Sequence, residues 1–152
     1  MKLITDELLE QLISQAAESP RKRSHYNVHE SLSDVVQKLL VAATTQSYFR
    51  PHRHTGKSEF ALVLRGQFVV FSFDDQGNIT GRQRIGEGCG VNGLELAPNT
   101  WHCWLALSDD AVFFETKQGP YDPATASEFA PWAPAENTPE AATYLAMLRK
   151  AI

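Results

Sequence analysis

The sequence has little of three features: cysteine, excess positive charge and long apolar runs. It contains only Cys89 and Cys103, and we expect two reduced thiols rather than a disulfide framework, although pairing between them stays open. The 14 basic against 18 acidic residues give a formal net charge of −4, which leaves nucleic-acid binding without its electrostatic driving force. No apolar stretch approaches the roughly 18 residues of a membrane span. These absences exclude nucleic acid and a membrane span from the expected partners and favour a small ligand.

The length of the chain fits one domain. Its start, MKLITDELLEQL, lacks the charged and apolar regions of a secretion signal, so a cytoplasmic location is the default expectation. We expect one domain over 1–152: a helix and a polar connection in 1–34, a β-rich core over about 35–118, and a wrapping segment with a last helix in 119–152. No internal repeat is visible.

Residues 4–18 have the apolar spacing of an amphipathic helix, and Thr138 followed by Pro139 predicts the start of a second one. Residues 35–43 fit either a helix or a strand. The proline-rich stretch 118–138 predicts ordered coil. Short segments rich in β-branched and aromatic residues, separated by turn signals, predict antiparallel strands: 47–54, 59–65, 67–74, 79–85, 91–96, 101–107 and 111–117.

Two of the five histidines, His52 and His54, lie one residue apart in one predicted strand. Residues two apart in a strand point to the same face, so both imidazoles can bind one ion. Gly56 permits a tight turn, after which an antiparallel strand brings the carboxylate of Glu59 level with the pair. His102, at the start of a distant strand, is the fourth candidate ligand. Taken singly, His102 is more easily read as a packed or surface residue and Glu59 as a solvated charge, and the pair His52 and His54 fits a coincidental exposed alternation equally well. Only the joint spacing favours a site.

Three imidazoles and a carboxylate suit one divalent ion. Iron, manganese, nickel or cobalt would keep open positions for water or substrate, whereas zinc is more often satisfied by four ligands. Cys103 has the opposite parity to His102 and is expected to point away from the ion. His25 and His29 lie outside the pattern, and we favour surface positions for them over a further wall of the cavity.

The spacing H-x-H-x4-E-x6-G, realised as His52, His54, Glu59 and Gly66, resembles the first motif of the cupin superfamily. The stretch Pro98-Asn99-Thr100-Trp101-His102 is similar to the second motif, although its glycine is replaced and Ala106 stands where the family has asparagine. The resemblance implies a mainly β protein with a cupin-type antiparallel β-barrel (a double-stranded β-helix or jelly roll), here with N- and C-terminal flanking helices.

A narrower resemblance covers most of the chain. The stretches SDVVQKLLVAATTQSYFRPHRHTGKSEFALVLRG, APNTWHCW and KQGPYDP…EFAPWAP are similar to the WbuC family of cupin-fold metalloproteins. That family is associated with bacterial surface-polysaccharide gene clusters and has no firmly attached reaction. The resemblance therefore implies a metalloprotein in polysaccharide biosynthesis, without a substrate.

Strand parity predicts which side chains share the cavity with the ligands: Tyr48, Arg50 and Trp104. The guanidinium of Arg50 can bind a carboxylate or phosphate through two hydrogen bonds, and a structural salt bridge is the alternative. Tyr48 and Trp104 can stack on a sugar, or they can be plain core.

Three functions stay open. The first is a metal-dependent enzyme, an isomerase or oxygenase, acting on a small oxygen-rich ligand such as a sugar or sugar nucleotide. The second is a non-catalytic module that binds or senses a sugar or acid. The third is a metal-independent nucleotide-deoxysugar epimerase or ketoisomerase, which would leave the histidine set unexplained. The outward apolar residues Phe60, Leu62 and Leu64 predict a homodimer.

Overall fold

The computed structural model describes residues 1–152 and consists of two antiparallel five-stranded sheets with a helix near each end of the chain. The predicted mainly β architecture with flanking helices is confirmed. The helices are α1 (Asp6–Glu18) and α2 (Pro139–Lys150). The strands are β1 (Arg23–Asn27), β2 (Val36–Ala43), β3 (His52–Arg53), β4 (Glu59–Arg65), β5 (Gln67–Phe73), β6 (Ile79–Gly86), β7 (Gly93–Leu96), β8 (Trp101–Ala106), β9 (Ala111–Gln118) and β10 (Glu128–Phe129).

The first sheet has the strand order β1-β2-β9-β4-β7, and the second has the order β10-β3-β8-β5-β6. Strands distant in sequence therefore pair, as β2 does with β9 over eight positions. The main core contains Phe68, Phe71, Trp104 and Phe113 from both sheets. Because the chain passes repeatedly from one sheet to the other, residues far apart in the chain face each other across this core.

The helix α1 covers the outer face of the first sheet. The Thr5 hydroxyl accepts a hydrogen bond from the Leu8 amide at 3.3 Å, and Asp6 and Glu7 lie in the first turn, where acidic residues suit the helix dipole. Three apolar side chains of α1 pack with Leu40, Ala42 and Val112 in a second cluster. The strand β2 is thus covered on both faces, which explains why its apolar run fitted a helix and a strand equally well.

Three predictions about the connections need correction. Residues 23–27, expected in a polar connection, form β1 and pair with β2. In the predicted strand 47–54, only His52–Arg53 is extended in a sheet. The wrapping segment contributes the short strand β10, which pairs with β3. The second helix begins as predicted, with Thr138 accepting from the Ala141 amide.

Candidate metal centre

Four side chains from both sheets converge at one end of the gap between the sheets. His52 in β3 is the register partner of His102 in β8, His54 follows β3 directly, and Glu59 begins β4 in the opposite sheet. One ligand atom from each of the four residues lies within 4.8 Å of the others. The structure therefore brings together all four residues that the sequence singles out.

Main-chain carbonyl groups orient the three imidazoles. The Nδ1 atom of His52 donates to the Arg50 carbonyl at 2.9 Å, that of His102 to the Thr100 carbonyl at 2.9 Å, and that of His54 to the Ala126 carbonyl at 2.6 Å. A carbonyl oxygen only accepts, so each Nδ1 carries the proton and each Nε2 keeps its lone pair. This is the tautomer that a metal ion requires, with the supporting hydrogen bond that metal-bound histidines usually have.

Burial and neighbouring charges keep these groups in the protonation states of metal ligands. Burial lowers the pKa of His52 well below its usual value, and burial likewise lowers the pKa of His102. Burial opposes ionisation of Glu59, but the Lys117 ammonium holds the pKa of that carboxyl well below its usual range. His52 and His102 are therefore neutral beside an ionised carboxylate.

The donor set fits a divalent cation. The His54 Nε2 atom lies 2.8 Å from the Glu59 Oε2 atom, although both atoms present lone pairs in the tautomer that the Ala126 carbonyl imposes. The Glu59 Oε1 and His102 Nε2 atoms are buried and have no hydrogen-bond partner. Buried polar groups of this kind are costly unless something satisfies them, and one cation held by the four residues would do so.

A buried ion pair that sequence reasoning missed supports Glu59. The register joins Glu59 to Lys117 in β9, and the Lys117 ammonium lies 3.5 Å from Glu59 Oε2 and 2.8 Å from Glu115 Oε1. These two carboxylates raise the pKa of Lys117 even though its burial alone would lower it. The sequence offered one signal, the alternation of Phe113, Glu115 and Lys117 on one strand face, but it does not say which strand lies opposite.

A cavity of about 470 Å³ opens beside the four residues. Arg50 and Trp104, both predicted as ligand contacts, line it. The Arg50 Nη2 atom donates to the Ala130 carbonyl at 3.1 Å, its guanidinium lies 5.1 Å from the ring centre of Phe129, and its Nε atom is buried without a partner. Arg50 has no carboxylate partner, so the predicted alternative of a structural salt bridge does not apply.

The other predicted ligand contacts differ in their surroundings. Trp104 stacks on Phe113 with ring centres 4.2 Å apart, and its indole Nε1 is buried without a partner. Tyr48 does not line the cavity, because its hydroxyl donates to the Pro134 carbonyl at 3.1 Å and its ring packs on Tyr144. The parity argument fails there since residues 48–51 are not in a regular strand. Cys103 is fully buried in the core.

Two histidines that the sequence favoured as surface residues line the cavity: His25 and His29. His25 is exposed at the cavity, whereas His29 is only 6% exposed. The available signal was the alternation Arg23, His25, Asn27, His29, which is polar at every second residue.

Comparisons with known proteins agree with this architecture. The model of a family described as a domain of unknown function (DUF6016) matches residues 4–85. The chain belongs to this family. The matched part of the chain contains His52, His54 and Glu59 but not His102. No curated protein matches the sequence.

Solved structures share the fold at low identity. KdgF from Halomonas sp. has 17% identity and a TM-score of 0.54, over 70% of this chain and 86% of that one. Oxalate oxidase in complex with the substrate analogue glycolate has 13% identity and a TM-score of 0.58, over 89% and 74%. The capsular polysaccharide assembling protein CapF from Staphylococcus aureus has 18% identity and a TM-score of 0.59, and this chain spans 32% of it. These are cupin-fold proteins, and the DUF6016 chain has the same fold.

None of the helices has both the length and the apolar composition that crossing a membrane requires.

Proposed function

We propose that this DUF6016 protein holds one divalent metal ion with His52, His54, Glu59 and His102, and binds a small oxygen-rich acid in the adjoining cavity. The observation that carries the proposal is the orientation of the three imidazoles, each donating through Nδ1 to a main-chain carbonyl so that its Nε2 lone pair is free. Iron, manganese, nickel, cobalt and zinc all accept such ligands.

Arg50 supplies the charge for an acidic ligand. Its guanidinium lacks a carboxylate partner, its Nε hydrogen is unused, and its own carbonyl accepts the Nδ1 hydrogen of His52. Arg50 and His52 line the same cavity, so the guanidinium is available to a carboxylate whose other oxygen would bind the ion. Trp104 lines the same cavity and offers its indole N–H, so it stays in the proposal as a ligand contact.

The bound ion would act as a Lewis acid on a carboxylate or hydroxyl group. The residues around it orient the ligand: Arg50 binds its negative charge, and Lys117 keeps Glu59 ionised and in place. An isomerase or oxygenase activity is one form of this proposal. The ligand class extends to sugar acids and sugar nucleotides.

A second candidate is a protein that binds the acid without changing it. Both carboxylates beside the site, Glu59 and Glu115, are paired with Lys117. Neither is free to act as a general base next to the ion, which favours binding over catalysis. A metal-independent epimerase would leave the convergence of three histidines and Glu59 unexplained.

The setting that we propose is bacterial surface-polysaccharide metabolism in the cytoplasm. It rests on the motif resemblance to the WbuC family, and the fold similarity to a capsular polysaccharide assembling protein is compatible with it. Disruption of the gene in a capsulated host, followed by analysis of the surface polysaccharide, tests this setting.

The metal proposal is tested by element analysis of protein purified without oxygen. We expect about one equivalent of a transition metal in the wild type and a loss of most of it in His102→Ala. Cys103→Ala is the matched control, since it changes the neighbouring side chain of the same strand, which is buried in the core. Equal metal content in His102→Ala and wild type would contradict the proposal. NMR spectra of glycolate and sugar acids after long incubation then separate the enzyme from the binder.

A further inference from the structure

The strand β1 presents a row of polar side chains to the cavity. Arg23, His25, Asn27 and, just beyond the strand end, His29 line it. The alternate residues face the helix: the Ser24 hydroxyl donates to the Leu12 carbonyl at 2.7 Å, and Val28 packs with the α1 cluster. The row is therefore fixed by the period of the strand and by the anchoring of its opposite face on α1.

His29 is the residue of this row that most needs a partner. Its Nδ1 atom contacts the main chain of Lys38, at 2.9 Å from the carbonyl oxygen and 3.1 Å from the amide nitrogen. Its Nε2 atom is buried and has no partner. A buried polar atom left unsatisfied costs about 1–3 kcal/mol, and a ligand hydroxyl in the cavity removes that cost. His25 and Asn27 lie next to it with no side-chain hydrogen bond to the protein.

The two arginines at this end of the cavity share one carboxylate. Arg21 and Arg23 both pair with Glu136, whereas Arg50 beside the metal centre has no carboxylate partner. Partial burial in the cavity lowers the pKa of His25, assisted by the positive charges of Arg21 and Arg23, which favours the uncharged imidazole. The strands β2 and β9 between the two ends contribute both apolar side chains, Leu39, Val41 and Phe113, and polar ones, Gln37, Glu115 and Lys117.

We propose that His25, Asn27 and His29 form a second subsite, which binds the neutral hydroxylated part of a ligand whose acidic end lies at the metal centre and Arg50. This inference rests on the proposed function and adds the ligand class: an acid that carries a sugar ring or polyol. Since β1 lies three strand intervals from β4, about 14 Å at ~4.8 Å per interval, the hydroxylated part must extend well beyond the acid group.

Calorimetric titration of the cobalt-loaded full chain with three probes tests the subsite. Glycolate supplies only the α-hydroxy acid, lactobionate joins the same group to a polyol chain and a neutral galactose ring, and 2-hydroxyoctanoate joins it to an apolar tail. We expect lactobionate to bind at least about tenfold tighter than glycolate, the gain of one to two good hydrogen bonds. We also expect 2-hydroxyoctanoate to gain less.

The decisive variant is His29→Asn, whose amide retains a contact with the Lys38 main chain while removing the Nε2 position. It should bind glycolate as the wild type does and lose the preference for lactobionate. Tyr26→Ala, on the opposite face of β1, is the matched control and should keep the preference. Thermal unfolding of each variant verifies that it is folded.

Two kinds of failure are distinguishable. If glycolate binds but lactobionate binds no tighter, or if His29→Asn keeps the preference, or if Tyr26→Ala loses it, the subsite is overturned and the metal site stands. If the cobalt-loaded protein binds neither acid, the proposed function is overturned, and the subsite with it.

Discussion

His52 and His102 are direct partners across β3 and β8, with ring centres 4.4 Å apart, although 49 residues separate them in the chain. The short strand β3 pairs with β8 at this position alone. The pairing places the remote histidine against the His-x-His pair.

Metal binding should stabilise the fold measurably. At a free cobalt concentration 100 times the dissociation constant, the stabilisation is about 2.7 kcal/mol, which corresponds to about 5–10 °C in the thermal midpoint for a chain of this size. Differential scanning calorimetry with cobalt and with a chelator measures it. His52→Ala should abolish the shift, and His25→Ala, which removes an exposed histidine, should keep it. An unchanged shift in His52→Ala would argue against the site.

Lys117→Met should weaken the metal-free protein and strengthen the response to metal. The change leaves Glu59 and Glu115 buried without their cation, which costs about 3 kcal/mol or more, and a divalent ion then neutralises more charge than in the wild type. Urea unfolding with and without cobalt provides both quantities. Lys38→Met, on the other face of the neighbouring strand β2, controls for the loss of a positive charge, and an equal effect in both variants would refute this account.

A side chain at Gly66, the glycine of the first motif, should destabilise the fold. Gly66 has φ +66°, and a Cβ atom there would lie 2.3 Å from the Ser108 hydroxyl and 3.0 Å from the Ala111 Cα atom. Gly56 has φ +69° with open space around it, so Gly56→Ala bears only the conformational cost of about 1–2 kcal/mol. Gly66→Ala should lose clearly more free energy of unfolding in urea. Equal losses would mean that the surrounding loops simply move aside.

The pairing of Glu136 with Arg21 and Arg23 should appear in the pH dependence of stability. Burial raises the pKa of Glu136, but the two arginines outweigh it and bring the pKa below the ordinary value of 4.5. A lowered folded pKa gives stability that is present above pH 4.5 and lost as the pH falls through the folded value. Glu136→Gln should therefore unfold more easily than the wild type at pH 7, by about 2 kcal/mol, with the difference shrinking below pH 4.5. A constant difference down to pH 3 would exclude the ion pair as its cause.

The exposed apolar row of β4 should mediate dimer formation. Phe60, Leu62 and Leu64 are 46%, 37% and 37% exposed, so pairing of two copies would remove this surface from water. Light scattering after size-exclusion chromatography should give twice the 16.9 kDa of the chain. Phe60→Glu should give the single-chain mass, whereas Val35→Glu, at an exposed apolar residue outside the row, should not. A monomeric wild type would refute the proposal.

The observed bounds of the strands from β4 to β9 agree with the predicted ones to within about two residues, because each strand is bounded by residues that favour turns. β1 was missed because its cavity face is polar and its other face packs on a helix, so no apolar alternation marks it. The His52, His54 and Glu59 geometry was accessible because those residues are local in sequence. Lys117 and the β1 row were not, because strand order in a sheet is decided by tertiary packing and not by any interval along the chain.

The groups that aim the three imidazoles belong to the backbone at Arg50, Thr100 and Ala126. Point substitutions at these positions leave a carbonyl in place. The orientation of the imidazoles therefore persists when the amino acid changes, and a comparison of side chains between relatives would not reveal it. Changes in loop length have the opposite effect: removing one residue between Gln118 and Ala126 would shift the acceptor away from His54 while every ligand residue stayed intact. Relatives of this protein should therefore differ freely in composition along that segment but rarely in its length.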